Sequence, residues 1–136
     1  MAAKRLIPVA GSVLLDTNVV VAFFAADQAV QAHARQADIV LSSTVLGELY
    51  YGARKSGRST SNLSRLDEFA VSVPIIACDG VTARYYGQIK DGLRLKGRPI
   101  PENDIWVAAV AMQYALPLAT RDQHFKEVDG LLIENW

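Results

Sequence analysis

The alternation of short apolar stretches with helical patterns constrains the fold of this chain more than any other feature of its sequence. Residues 12–16, 39–42 and 73–77 are mostly apolar runs of strand length, and each is followed by a pattern with helical spacing. Residues 118–120 and 131–134 are predicted to be two further short strands. Because parallel strands need crossover connections, usually helices, the alternation predicts a three-layer α/β/α domain with a central parallel sheet.

Two of the predicted helices are unusually apolar. The first, over residues 18–26, contains eight consecutive apolar residues and is expected to be buried on every side. The second, over residues 104–115, has no polar residue between positions 105 and 112. Between them, a long helix is predicted to begin at a cap, Asp79, and to end at Gly97.

The length of 136 residues corresponds to one domain, 1–136, and 51% hydrophobic against 21% charged residues is a globular composition. The 14 basic and 14 acidic residues cancel, so net charge does not attract nucleic acid or membranes. Basic residues still concentrate in 49–66 and 80–101, either as two solvated helix faces or as a phosphate-binding surface. The single cysteine, Cys78, follows an apolar run and is expected to be buried in the core.

The beginning of the chain superficially imitates a secretory signal, because residues 1–5 are basic and residues 6–15 are mostly apolar. Pro8, Gly11 and Ser12 interrupt this stretch. No other segment approaches the roughly 20 apolar residues of a membrane-spanning helix. We therefore expect a cytoplasmic protein without a membrane span.

Several catalytic motifs are absent from the sequence, namely H-E-x-x-H, C-x-x-C, G-x-S-x-G and G-x-G-x-x-G. Gly87, Gly92 and Gly97 have the spacing of a phosphate-binding loop, but the lysine of that motif is missing and the segment is predicted to be helical. His33 and His124 lie far apart in the sequence and are expected to be surface or capping residues. The acidic residues are then the main candidates for chemistry.

Four acidic residues stand where predicted strands end or helices begin. Asp16 follows the first strand, and Asp122 comes two residues after the strand at 118–120. Asp104 opens an apolar helix, and Glu48 lies in the second turn of the helix after the second strand. Each could alone be an N-cap, a turn residue or an exposed helix residue. Ionised acids that crowd a poorly solvated cleft at the carboxyl ends of strands need a cation, and oxygen ligands favour Mg²⁺ or Mn²⁺ over zinc.

Four segments of the chain resemble the PIN domain, and most closely the VapC-type ribonuclease toxins of type II toxin–antitoxin pairs. They are LLDTNV at 14–19, STVLGELYYG at 43–52, IPENDIWVAA at 100–109 and LATRD at 118–122, the last followed by Phe125. The segments occur in the family's order and span nearly the whole chain. Trp106 is bulkier than the aliphatic residue expected at its position.

The resemblance implies a metal-dependent endoribonuclease. Its catalytic and metal-binding quartet falls, position by position, on Asp16, Glu48, Asp104 and Asp122. Asp16 and Asp104 are the first choice as direct ligands of Mg²⁺ or Mn²⁺, and Glu48 is the candidate to orient the attacking water. Asn18 and Thr120 would hold the carboxylates in position.

The resemblance also implies partners. The substrate would be RNA, and the regulator would be a small antitoxin that lays an amphipathic helix on the domain and directs a cationic side chain toward the acids. A second copy of the chain is expected as the partner in a homodimer.

Two other functions stay open on the sequence. One is an aspartyl-phosphate phosphoryl-transfer domain, either a receiver or a phosphatase, built on a similar sheet. The phosphatase motif requires an Asp where this chain has Asn18, and the receiver requires a late lysine at a strand end, a place that Lys126 does not occupy. The other is a non-catalytic interaction module, against which the intact acidic quartet argues.

Overall fold

A five-stranded parallel sheet forms the centre of the structure, a computed structural model that describes residues 11–136. In chain order the strands are β1 (Ser12–Leu15), β2 (Asp38–Ser42), β3 (Ile75–Ile76), β4 (Leu118–Ala119) and β5 (Ile133–Glu134). Their order in the sheet is β3-β2-β1-β4-β5, and all neighbouring strands are parallel. This arrangement confirms the predicted parallel sheet.

Six α-helices and one 3-10 helix connect the strands in the described part of the chain. The α-helices are α1 (Thr17–Phe24), α2 (Gln28–Arg35), α3 (Ser43–Arg54), α4 (Ser59–Ser72), α5 (Gly80–Lys96) and α6 (Glu102–Gln113). The 3-10 helix spans Gln123–Glu127. Among residues 11–136 no helix is long and apolar enough to cross a membrane. Residues 1–10, which carry most of the pattern that imitates a secretory signal, lie outside the described residues.

The sheet reverses its strand order at β1, and this reversal positions the site. From β1 the chain crosses to β2 and then β3 on one side, and it returns to β4 and β5 on the other. When the connections that follow two neighbouring strands run to opposite sides of the sheet, a crevice opens at the carboxyl ends of those strands. Here the two strands are β1 and β4. Asp16 directly follows β1, and Thr120 directly follows β4, at this crevice.

Element boundaries follow from local caps. β1 ends at Leu15 because Asp16 is the N-cap of α1, with its carboxylate accepting a hydrogen bond from the backbone N of Thr17. Asp79 caps α5 as predicted and forms a reciprocal capping box with Thr82. The predicted strands at 73–77 and 118–120 are longer than the two-residue β3 and β4, and α6 begins two residues before the predicted position 104.

Two expectations about burial are wrong. α1 is not buried on every side: Val19 and Val20 are fully buried, but Val21 is 54% exposed, because successive residues point in different directions around a helix. Cys78 is exposed rather than buried, since β3 ends at Ile76 and the chain leaves the sheet before α5 begins. The apolar α6, in contrast, buries six of the eight residues in its apolar run at 105–112.

Candidate functional site

Asp16 is the most deeply placed acid at the crevice. Its Oδ1 accepts a hydrogen bond from the backbone N of Thr17 at 2.8 Å, and its Oδ2 accepts one from Thr120 Oγ1 at 2.7 Å. Burial raises the pKa of the Asp16 carboxyl above its usual value, the hydrogen bonds from Thr120 and Thr17 lower it, and the charge of Asp122 raises it. The side chain is therefore held in one orientation, and no lysine or arginine among residues 11–136 forms an ion pair with it.

Asp104 reaches the same crevice from the first turn of α6. Its side chain is 14% exposed, and its pKa is raised to about 6, first by burial and then by the negative charges of Asp16 and Asp122. Contact with His124 acts in the opposite direction. Burial is thus the main cause of the raised pKa of Asp104, and repulsion from the other two carboxylates adds to it.

Asp122 completes this group from the segment after β4. Its backbone N donates to Thr120 Oγ1 at 3.0 Å, so Thr120 links Asp122 to Asp16 through one hydroxyl. Its Oδ1 accepts from the backbone N of His124 at 2.9 Å and thereby caps the 3-10 helix Gln123–Glu127. A local turn therefore directs the carboxylate toward the crevice.

Glu48 lies beside this group rather than inside it. Its Oε1 accepts a hydrogen bond from Thr17 Oγ1 at 3.1 Å, and Thr17 is the neighbour of Asp16. Glu48 and Thr17 also line a cavity of about 350 Å³ between α1, α3 and α4. The structure thus places three of the four predicted acids together and the fourth at the rim.

Asn18 and Thr120, the two predicted positioning residues, have different contacts. Thr120 donates directly to the carboxylate of Asp16. Asn18 instead accepts, through its Oδ1, a hydrogen bond from the backbone N of Arg121 at 3.3 Å. Asn18 therefore holds the backbone that precedes Asp122 and not a carboxylate.

His124 is the residue of this site that the sequence did not indicate. It is exposed, as expected of a surface histidine, but its Nδ1 lies 3.1 Å from Asp122 Oδ1 and 3.3 Å from Asp104 Oδ2. One ligand atom from each of the three side chains lies within 4.8 Å of the others. The short interval between His124 and Asp122 could have drawn attention to this histidine, but Asp104 is 20 residues away.

The donor set fits a divalent cation. Asp16, Asp104 and Asp122 offer carboxylate oxygens, and within residues 11–136 no lysine or arginine forms an ion pair with any of them. A bound cation would relieve the repulsion that raises the pKa of Asp104. Carboxylate groups are the usual protein ligands of Mg²⁺ and Mn²⁺.

Comparison with known proteins identifies the family. The family model described as PIN domain matches residues 13–131. A curated relative, Ribonuclease VapC2 of Rickettsia felis, is 36% identical over 104 residues, which cover 76% of this chain and 78% of the relative. Another, the tRNA(fMet)-specific endonuclease VapC of Shigella flexneri, is 31% identical over 128 residues, which cover 90% of this chain and 96% of the relative.

Solved structures agree with this comparison. VapBC2 of Rickettsia felis bound to a promoter DNA fragment superposes with a TM-score of 0.84 at 33% identity, covering 92% of this chain and 98% of the other. DNA-bound VapBC of Salmonella typhimurium superposes with a TM-score of 0.86 at 28% identity and the same coverage. The chain therefore belongs to the PIN-domain family and, within it, to the VapC ribonucleases.

Proposed function

We propose that this protein is the toxin of a type II toxin–antitoxin pair, an endoribonuclease that uses Mg²⁺ or Mn²⁺ to hydrolyse phosphodiester bonds within RNA. The observation that carries this proposal is the convergence of Asp16, Asp104 and Asp122 from three separate elements. The PIN-domain match and the VapC relatives favour a nuclease over the aspartyl-phosphate domain and the non-catalytic module. We further propose that residues 1–136 form one domain and that it acts in the cytoplasm.

In this mechanism the three aspartates would hold a divalent cation. When bound, a divalent cation supplies an activated water near neutral pH and offsets negative charge on the phosphate. Thr120 fixes the orientation of the Asp16 carboxylate through its hydrogen bond at 2.7 Å. Glu48 lies at the rim and accepts a hydrogen bond from Thr17, and we propose that its carboxylate would act as the general base.

The basic residues around the end of α3 would hold the RNA backbone outside this acidic centre. Arg54, Lys55 and Arg58 are exposed and form no ion pair with an acid in the described part of the chain. They lie along the chain just after Glu48, on α3 and the segment that follows it. Contacts to phosphates position a nucleic acid without reading its sequence.

The cavity between α1, α3 and α4 is the proposed seat of an antitoxin helix. Val21, Phe24, Leu49 and Leu66 line it, and Glu48 marks its border with the acids. An amphipathic helix could bury apolar side chains there and direct an arginine or lysine toward the carboxylates.

Expression of the chain alone should then arrest growth of its host, and co-expression of a small protein encoded beside it should restore growth. Tolerance of high expression without any partner would contradict this part of the proposal.

The nuclease proposal is tested with purified protein and total RNA. The RNA panel should include initiator tRNA, because the relative from Shigella flexneri is named a tRNA(fMet)-specific endonuclease. We expect cleavage that EDTA abolishes and Mg²⁺ or Mn²⁺ restores. Asp104→Ala should lower the rate roughly a hundredfold or more, given how much of such a reaction the cation carries.

The matched control is Asp91→Ala. Asp91 is an exposed acid on α5 that pairs with Arg94 and takes no part in the crevice. Its replacement should leave the rate unchanged. Full cleavage in EDTA, or by the Asp104→Ala protein, would refute the proposed function.

A further inference from the structure

We infer that His124 supplies a nitrogen ligand to the cation and gives this site a stronger preference for Mn²⁺ over Mg²⁺ than its carboxylates alone would produce. The inference rests on the proposed function, because it concerns the same cation. The His124 nitrogen would be a donor of a different chemical kind from the carboxylate oxygens.

The imidazole of His124 lies beside two of the three aspartates. His124 Nδ1 lies between Asp122 Oδ1 at 3.1 Å and Asp104 Oδ2 at 3.3 Å, so the ring nitrogen faces the space between the two carboxylates. Nothing in the ordinary role of a surface histidine requires contact with two acids from different elements. The three ligand atoms are within 4.8 Å of one another, close enough to share one cation.

The segment that carries His124 is fixed on both sides of the ring. His124 lies in a 3-10 helix that is capped by Asp122 and anchored by Phe125, whose side chain is fully buried. The backbone N of His124 donates to the same Asp122 oxygen that its ring contacts. Because the backbone on both sides of the ring is fixed, the nitrogen is held close to the carboxylates before any cation arrives.

The chemical nature of the donor atom determines which cation binds more tightly. Mg²⁺ demands near-ideal octahedral geometry and is bound almost entirely through oxygen, whereas imidazole is a common ligand of transition-metal ions. Mn²⁺ accepts both oxygen and nitrogen ligands. A nitrogen at this position should therefore strengthen Mn²⁺ binding more than Mg²⁺ binding.

A competing interpretation gives the opposite result, which makes the inference testable. His124 could act only as a hydrogen-bond donor that partly neutralises Asp104 and Asp122 and that a cation must displace. Removing the imidazole would then leave the carboxylates freer and would strengthen binding of both ions. A true ligand, when removed, weakens binding of the ion that used it.

The experiment compares wild type with His124→Gln in the full chain after removal of bound metal. Calorimetric titration with MnCl₂ and with MgCl₂ gives the affinity for each ion. We expect His124→Gln to lose at least about tenfold in Mn²⁺ affinity and to lose less in Mg²⁺ affinity. A loss of about tenfold is the smaller effect seen when a residue that only supports a metal ligand is replaced. Pulsed EPR of the Mn²⁺-loaded wild type should show nitrogen hyperfine coupling, and His124→Gln should lack it.

The matched control is His33→Gln. His33 is the other histidine of the chain, and its ring stacks on Trp136 with 5.0 Å between the ring centroids. This variant should keep the affinities and the nitrogen coupling of wild type. Thermal unfolding of all three proteins shows whether each is folded, and the EPR spectrum of wild type decides the question even if His124→Gln does not fold.

Two outcomes would overturn the inference alone. They are Mn²⁺ binding by wild type without nitrogen coupling, and equal or tighter binding of both ions by His124→Gln. In either case EDTA-sensitive cleavage would still support the proposed nuclease. Failure of wild type to bind either ion, together with cleavage in EDTA, would overturn both proposals.

Discussion

Asp104 has the most perturbed carboxyl group at the crevice, and its pKa of about 6 has a consequence for stability. The usual value is 3.8, so the folded protein binds this proton more tightly than the unfolded chain does. Below pH 3.8 the group is protonated in both states and costs nothing. As pH rises through 3.8 toward 6 and above, keeping the ionised group in the crevice destabilises the fold.

Asp104→Asn should therefore stabilise the protein in EDTA at pH 7. The nearly isosteric amide removes the repulsion from Asp16 and Asp122, and we expect a gain on the order of 1 kcal/mol after allowance for solvent screening and for the lost favourable charge at the start of α6. The gain should shrink as pH is lowered from 7 to 4. Thermal unfolding measures it, with the exposed Asp91→Asn as control. A lower melting temperature of Asp104→Asn at pH 7 would mean that the Asp104 charge stabilises the start of α6 more than it destabilises the crevice.

Thr120 is the second residue whose contribution can be isolated. It is 3% exposed, and its hydroxyl both donates to Asp16 Oδ2 and accepts from the backbone N of Asp122. Thr120→Val keeps the shape but leaves these two polar groups without their partner, which should cost about 1 to 3 kcal/mol of unfolding free energy. Thr120→Ser should recover most of that loss in denaturant titrations. Equal stability of the valine variant and wild type would show that the hydroxyl has no structural role.

At the scale of one element, α5 offers a matched pair of glycines. Gly97 ends the helix with φ +67, a left-handed conformation, whereas Gly92 lies inside the helix, and an added Cβ would have open space at both positions. Gly97→Ala should destabilise the protein by about 1 to 2 kcal/mol because of its backbone conformation alone. Gly92→Ala should stabilise it by about 0.5 to 1 kcal/mol, since alanine is the better helix residue. Urea unfolding of the two variants should give shifts of opposite sign, and shifts of the same sign would contradict this account.

At the scale of the whole molecule, a cation that binds only the folded state stabilises all of it. At about 100 times its dissociation constant, a ligand adds roughly 2.7 kcal/mol to the free energy of unfolding. Wild type should gain this from Mg²⁺, and Asp104→Asn should gain little, so their order of stability should reverse between EDTA and excess Mg²⁺. Thermal unfolding in both buffers tests the reversal. Equal shifts in the two proteins would place the cation away from Asp104.

Several features of the whole fold could be predicted from local sequence patterns. The parallel α/β arrangement, the apolar helix α6 and the cap at Asp79 were predictable, because hydrophobic periodicity and capping depend on residues close together in the chain. The acidic residues Asp16 and Asp104 were also recognisable, since each stands where a strand ends or a helix begins. The resemblance of four sequence segments to a known family then predicted the activity and the partners.

Other features depended on how the elements pack. The exposure of Cys78 depends on where β3 ends, which the parallel ladder with β2 determines. Glu48 is linked to the site through Thr17, because α3 packs against α1 at a distance that no local pattern specifies. His124 meets Asp104 across 20 residues because a 3-10 turn and α6 come together at the crevice. The sequence by itself determined which elements form and which acids they carry, since backbone geometry and side-chain period are local. Only the tertiary structure decided which side chains touch, since distances between elements are set by packing of the whole core.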